Sequence, residues 1–231
     1  MRKSRIGIVL VLAAVSAPAV VAQSGAIPGR DLLAYPVGLV AEPAALPGML
    51  GLGLYNPAAP FLPDSTRLRL AAGAMNTPAD IGATAQVFGA STAWRRSTVT
   101  VSLIRAAVGG LVRTDSDPLT IGNDVAYSTM VGSVGMSTRV RENVVVGMAL
   151  RARTGRLDFD RHAGVSIDAG FVADHLTRLD ARVGMASYLA SPWRGGDDPP
   201  TWLASGDLRV AGQDSVKTIR VGVSVSSTAE G

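Results

Sequence analysis

The chain has no cysteine, only two lysines and two histidines, and 5% aromatic residues. Each shortage excludes something. Without cysteine there is no disulfide framework and no thiolate metal site. His162 and His175 stand among polar residues at the ends of strand-like runs, with no further ligands at metal-site spacing, so neither a metal nor a cofactor is expected. Because Lys3 and Lys217 are the only lysines, the positive charge is carried by arginine, the better residue for paired, partly buried charge. Arginines facing an inner wall would fit that pattern, and a GC-rich genome would fit it equally. The formal net charge is +4, and Arg2, Lys3 and Arg5 supply three of those charges. The rest of the chain is close to neutral and its arginines are dispersed. That argues against nucleic acid as a partner, because phosphate binding wants a contiguous basic stripe. Beyond the first two dozen residues no apolar run approaches the ~20 residues a membrane-spanning helix needs. No nucleophile, base and orienting group can be assembled, so an enzyme is not expected. Gly109-Gly110 and Gly195-Gly196 do not open a helix with a following Lys-Ser or Lys-Thr, so they read as loop punctuation. Asp115, Asp117, Asp197 and Asp198 read as solvated acidic turns, lacking the other oxygen ligands of a calcium loop.

What is present falls into three parts. Residues 1–22 read as an export signal: a basic start, an apolar core over Ile6 to Ala14, and a small-residue site at Val20-Val21-Ala22. Residues 23–66 are rich in proline, with Pro28, Pro36, Pro43, Pro47, Pro57, Pro60 and Pro63. Prolines this frequent exclude continuous strands and long helices, while the apolar content argues against a free linker. The segment reads as an irregular, packed, plug-like piece. Residues 67–231 read as strands nearly throughout.

The strand signal is strongest over Arg161 to Ala190. Val165, Ile167, Ala169, Phe171 and Ala173 alternate with Ser166, Asp168, Gly170 and Asp174. Leu179, Ala181, Val183, Met185 and Leu189 then alternate with Arg178, Asp180, Arg182, Gly184 and Tyr188. Successive side chains of a strand project to opposite faces, so each run has one apolar and one polar face. Such runs exceed the usual soluble strand of about 5–6 residues and suit a tilted membrane-crossing strand of about 9–11. Further alternation covers Arg67 to Met75, Thr84 to Arg95, Thr98 to Leu103 with a register shift expected near Ile104, Asp124 to Val140, Val144 to Arg153, Asp207 to Gln213, and Lys217 to Ser226. Tight turns are expected at Arg141–Asn143 and His175–Thr177. Longer links are expected at Arg113–Asn123, Arg156–Arg161 and Ser191–Thr201.

The expected fold class is therefore all-β: an antiparallel transmembrane β-barrel with an N-terminal plug-like segment. Short turns at one end and longer links at the other match bacterial outer-membrane barrels. The tally is about nine strands, whereas single-chain bacterial barrels have even numbers. Either one strand is miscounted or this is the front part of a longer barrel, and we favour the second. The outward face is expected to meet outer-membrane lipid. Arg151, Asp168, Asp180 and Arg182 are expected to line the lumen, with Arg178 in the same charge cluster. Trp94, Trp193 and Trp202 lie near strand ends, as interfacial residues or as ordinary core and loop tryptophans.

Tyr55-Asn56-Pro57-Ala58, placed before the first long strand, resembles the N-terminal segment of the fatty-acid-transporter (FadL-like) superfamily of outer-membrane barrels, closer to its PorV-type branch of type IX secretion. The resemblance covers Asp31 to about Thr66 by motif and the rest by strand rhythm. It implies a plug motif at Tyr55, Asn56, Pro57 and Ala58, and a porin- or transporter-like role passing or positioning hydrophobic or small solutes, or a role beside secretion-system components. The chain departs from that family in being too short for its fourteen or so strands and poor in aromatics. The rival reading is a soluble exported β-sandwich or adhesin-like binding module.

Overall fold

The computed structural model of the protein describes residues 27–33, 45–46, 50–61, 67–78, 82–114, 121–176, 180–190, 200–211 and 219–228. The export-signal reading of residues 1–22, Trp193 and Arg178 lie outside them. The strands are β1 (Leu68–Asn76), β2 (Ala83–Trp94), β3 (Ser97–Val108), β4 (Val112–Thr114), β5 (Ile121–Asp124), β6 (Tyr127–Arg141), β7 (Val144–Leu157), β8 (Asp160–Ala173), β9 (Arg182–Tyr188), β10 (Thr201–Ala211) and β11 (Ile219–Thr228). Nine of them form one antiparallel up-and-down sheet in the order β1-β2-β3-β6-β7-β8-β9-β10-β11, and β4 and β5 pair separately. The fold is all-β, as the alternation implies. Among the described residues the sheet is not closed into a barrel, because no ladder joins β1 to β11.

Alternation explains which side chain faces where. In β7, Val145, Ala149, Arg151 and Arg153 are buried, while the intervening Met148, Leu150, Ala152 and Thr154 are exposed. The same two-residue beat runs through β8, where Ser166 and Asp168 are buried and Val165, Ile167 and Phe171 are exposed. Large aliphatic residues thus sit on the open face: Leu70 is 72% exposed, Met148 61% and Val223 69%. The covered face is apolar where Val87, Ile104, Val131 and Leu203 are buried and elsewhere small or polar, and there hydroxyls bond across it from strand to strand. Ser91 and Thr100 meet at 2.9 Å, and Ser102 and Ser133 at 2.6 Å. Large aliphatic residues on the open face and charged residues such as Arg151 and Asp168 on the covered face depart from the usual soluble arrangement, in which exposed apolar and buried charged side chains are the exceptions.

The inner face is covered by the N-terminal segment rather than by the second sheet a sandwich requires. Leu33, Ala45, Leu52, Leu54 and Tyr55 pack with Val87 of β2, Ile104 of β3, Val131 of β6, Tyr188 of β9 and Leu203 of β10. Leu33, Leu52 and Leu54 are almost fully buried, which stabilises by about 1.5–3 kcal/mol each. The sheet must curl to make these contacts. The helical turn at 30–33 reaches β2 and β3 through Leu32, which packs with Ala85 and Ala106, and reaches β10 through Arg30, whose Nη2 donates to Thr201 Oγ1 at 2.6 Å. β2 and β10 are six strand intervals apart, about 29 Å if flat at ~4.8 Å per interval. One helical turn cannot span that, so the sheet wraps around it.

Several local expectations are corrected. No register shift occurs near Ile104, since β3 pairs continuously with both neighbours from Ser97 to Val108. Ile104 is simply an inward residue where the wall turns apolar to meet the plug. The Arg156–Arg161 link is a tight turn at Asp158-Phe159, with Asp158 at φ 57° and Arg156 Nε donating to its carbonyl at 2.8 Å. The expected tight turn at His175–Thr177 lies partly outside the described residues; β8 ends at Ala173, β9 begins at Arg182, and between them His175 and Asp180 have positive φ. Consequently Asp180 lies outside β9. β10 begins at Thr201, earlier than the expected Asp207. The β4–β5 pair interrupts the expected Arg113–Asn123 link. The hairpin at Glu142-Asn143 stands as expected, with a register shift between Arg139 and Arg141.

Candidate functional site at the inner face

The polar inner wall and the segment seated on it hold every buried polar side chain of note. Asn56 is the best-connected. It opens a turn in which its carbonyl accepts from Ala59 N at 3.0 Å and its Oδ1 accepts from Ala58 N at 2.9 Å. Proline at the next position pre-sets the backbone for such a turn. The side-chain amide then reaches the sheet. Nδ2 donates to Ala45 O at 2.8 Å, to Phe171 O at 3.0 Å and to Met185 O at 3.5 Å. Two hydrogens thus serve three carbonyls, with the longest contact shared. Phe171 and Met185 are cross-strand partners in β8 and β9, so Asn56 clasps both strands at one level.

Glycines make this approach possible. Gly147 and Gly170 are directly paired across β7 and β8, and Gly184 lies on β9. A Cβ on these residues would collide with Pro57 O, Asn56 Oδ1 and Ala45 O respectively. The plug backbone lies in a trough with no side chains. Interior glycines weaken a strand and mark close approach of another backbone, and that is their use here.

Toward the other end of the sheet lies an arginine centre. Tyr55 donates to Leu33 O at 3.1 Å, and its ring meets Tyr188 edge-on at 5.2 Å. The Arg151 guanidinium lies over the Tyr188 ring, 5.0 Å from its centroid. Arg151 Nε donates to Asp168 Oδ2, and both residues are almost fully buried. Asp168 Oδ1 accepts from Ala190 N at 3.0 Å. This matters because the β8–β9 ladder covers only Gly170–Ala173 against Val183–Ala186. Beyond it the chain kinks at Leu189, at φ 55°. Side chains then supplement a single backbone bond, from Ile167 N to Ala190 O at 2.9 Å: Ala169 N donates to Ser187 Oγ at 3.0 Å, and Asp168 Oδ1 holds Ala190 N. Arg153 Nη2 donates to Ile27 O at 2.7 Å nearby.

Arg182 and Asp180 belong to a second cluster, separate from Arg151 and Asp168. Arg182 grips Asp207 of β10 with two nitrogens, Nε at 3.0 Å and Nη2 at 2.5 Å. Arg220 of β11 joins Asp207 to Asp180, with Nε 2.9 Å from Asp207 Oδ1 and Nη1 2.9 Å from Asp180 Oδ2. Arg209 and His175 flank Asp180, the latter with Nδ1 2.6 Å from Oδ1. Burial works to raise the Asp180 pKa. The hydrogen bond and charge of Arg220, with His175 and Arg209, overcome that and hold it below its ordinary value. The network ties the 174–181 connection to β9, β10 and β11.

The four residues singled out from the sequence thus fall into two pairs, with Arg151 on Asp168 and Arg182 and Asp180 linked through Asp207 and Arg220. Asp207 and Arg220 were missed as site residues, although both stand on the polar beat of strands the alternation found. Among the described residues no group of acidic and histidine side chains is arranged to hold a metal ion. No family model, curated protein or solved structure matches the chain.

Proposed function

We propose that the chain is the wall and plug of an outer-membrane β-barrel-type protein that passes or positions hydrophobic or small solutes, or serves beside a secretion system. The observation that carries this reading is the polarity of the two faces: Met148, Val165, Ile167, Phe171, Met185 and Val223 on the open side, and Arg151, Asp168 and hydroxyls on the covered side. Lipid is the solvent in which that inversion costs nothing. Strands of 12 to 15 residues in β2, β3, β6, β7 and β8 exceed the ~9–11 that a tilted crossing requires. Trp94 and Trp202 stand outward, near opposite ends of the sheet, where interfacial aromatics belong. The inner wall with the Asn56 plug is the functional surface in this reading, and the likeness of Tyr55-Asn56-Pro57-Ala58 to the fatty-acid-transporter superfamily's plug motif supports the solute role.

The absence of cysteine makes the test direct. Single cysteines at Met148, Val165 or Val223 should resist a membrane-impermeant maleimide in isolated outer membranes and react after detergent unfolding. The protein should fractionate with those membranes. Recovery in the soluble fraction with rapid labelling at all three positions would refute the proposal.

A further inference from the structure

We propose that the inner wall carries a buried oxyanion site formed by Arg151, Tyr188 and Ser166, on three successive strands. This inference does not rest on the membrane reading, since it concerns only the face covered by the plug. Arg151 is 1% exposed and spends only its Nε on Asp168; Nη1 and Nη2 are buried with no hydrogen-bond partner. The Tyr188 hydroxyl and the Ser166 hydroxyl are likewise buried without a partner. Both residues are neighbours of Arg151. Ser166 is the direct cross-strand partner of Arg151, and the Arg151 guanidinium lies over the Tyr188 ring.

The chemistry of the group that fits is set by the donors. A guanidinium can only donate, and each buried unsatisfied donor is costly. Two adjacent amino groups held in a rigid plane form a fork that matches two oxygens of one carboxylate or phosphate. The stacking on Tyr188 and the bond to Asp168 fix that plane in advance. The two hydroxyls stand ready to donate to the remaining oxygens. Asp168 balances the Arg151 charge, so recognition comes from the directed donors rather than from net charge.

The test is equilibrium dialysis of the purified full chain against radiolabelled inorganic phosphate, with acetate and chloride as competitors. Saturable binding of one phosphate per chain is expected, and acetate should displace it better than chloride at equal ionic strength. Arg151→Gln should abolish binding. Because that variant also breaks the Asp168 pair, the double variant Ser166→Ala with Tyr188→Phe provides the second test: it removes two hydroxyls and nothing else, and should weaken binding at least tenfold. Arg209→Gln, on the other cluster, should bind as the parent does. No saturable binding, equal displacement by chloride, or unchanged affinity in the double variant would each overturn the proposal.

Discussion

Replacing Asn56 tests the seat of the plug, and two substitutions should separate geometry from chemistry. Asn56→Ala deletes the amide that donates to Ala45 O, Phe171 O and Met185 O and the oxygen that accepts from Ala58 N. Two donated bonds and one accepted bond are lost at a residue 1% exposed. At a net ~1 kcal/mol each, with some further cost for carbonyls left dry, the loss is about 3–4 kcal/mol. Asn56→Asp keeps the shape and the bond to Ala58, and so conserves more contacts than alanine does. It should nonetheless be the worse change at pH 7, because it aims a carboxylate oxygen at three carbonyl oxygens in a buried site. An uncompensated buried charge costs about 3–5 kcal/mol beyond lost bonds. Acidification should recover part of that, since a protonated carboxyl can donate one of the missing bonds. The assay is urea unfolding of the purified chain, followed by tryptophan fluorescence and extrapolated linearly. An alanine variant within 0.5 kcal/mol of the parent, or an aspartate variant milder than alanine, would refute the reasoning.

Asp168→Asn should destabilise by about 3–5 kcal/mol in the same assay, because it leaves Arg151 buried beside a neutral amide. Met148→Arg, on the open face, should lower recovery in outer membranes, at about 2–4 kcal/mol if the position lies near the bilayer midplane; unchanged recovery would count against lipid on that face. Asp180 has a depressed pKa, so its contribution is complete above the unfolded carboxylate value and is lost as the pH falls through the lower folded value. Urea midpoints measured from pH 6 down to pH 3 should fall less steeply in Asp180→Asn than in the parent.

Much of the sheet was legible because alternation is a local signal. Val165, Ile167 and Phe171 declare one face and Ser166 and Asp168 the other without any knowledge of neighbours. The connections were less legible. Asp158 and His175 both sit at positive φ, yet one makes a two-residue turn and the other starts a long link, and nothing in their immediate sequence separates the two. The break in the β8–β9 ladder was hidden for a related reason: Asp168 and Ser187 bond the backbone of the facing segment beside one backbone bond, Ile167 N to Ala190 O, a role that depends on register and not on pattern. Ile104 misled because the inner wall is polar only where it does not meet Leu52 and Leu54. The Asn56 motif could be located in sequence, but its partners Phe171 and Met185 could not.

The helical turn that reaches both β2 and β10 fixes an order of events in folding. Arg30 is bonded to Thr201, 171 residues away, and Ala45 N to Ser205 Oγ across 160 residues. This segment therefore waits for β10, 171 residues further along the chain at Thr201, before its contacts are complete. Closing so much chain costs entropy before the contacts repay it, so these contacts are expected to form late. Lesions in this segment should then leave the refolding rate nearly untouched and shorten the lifetime of the finished protein instead.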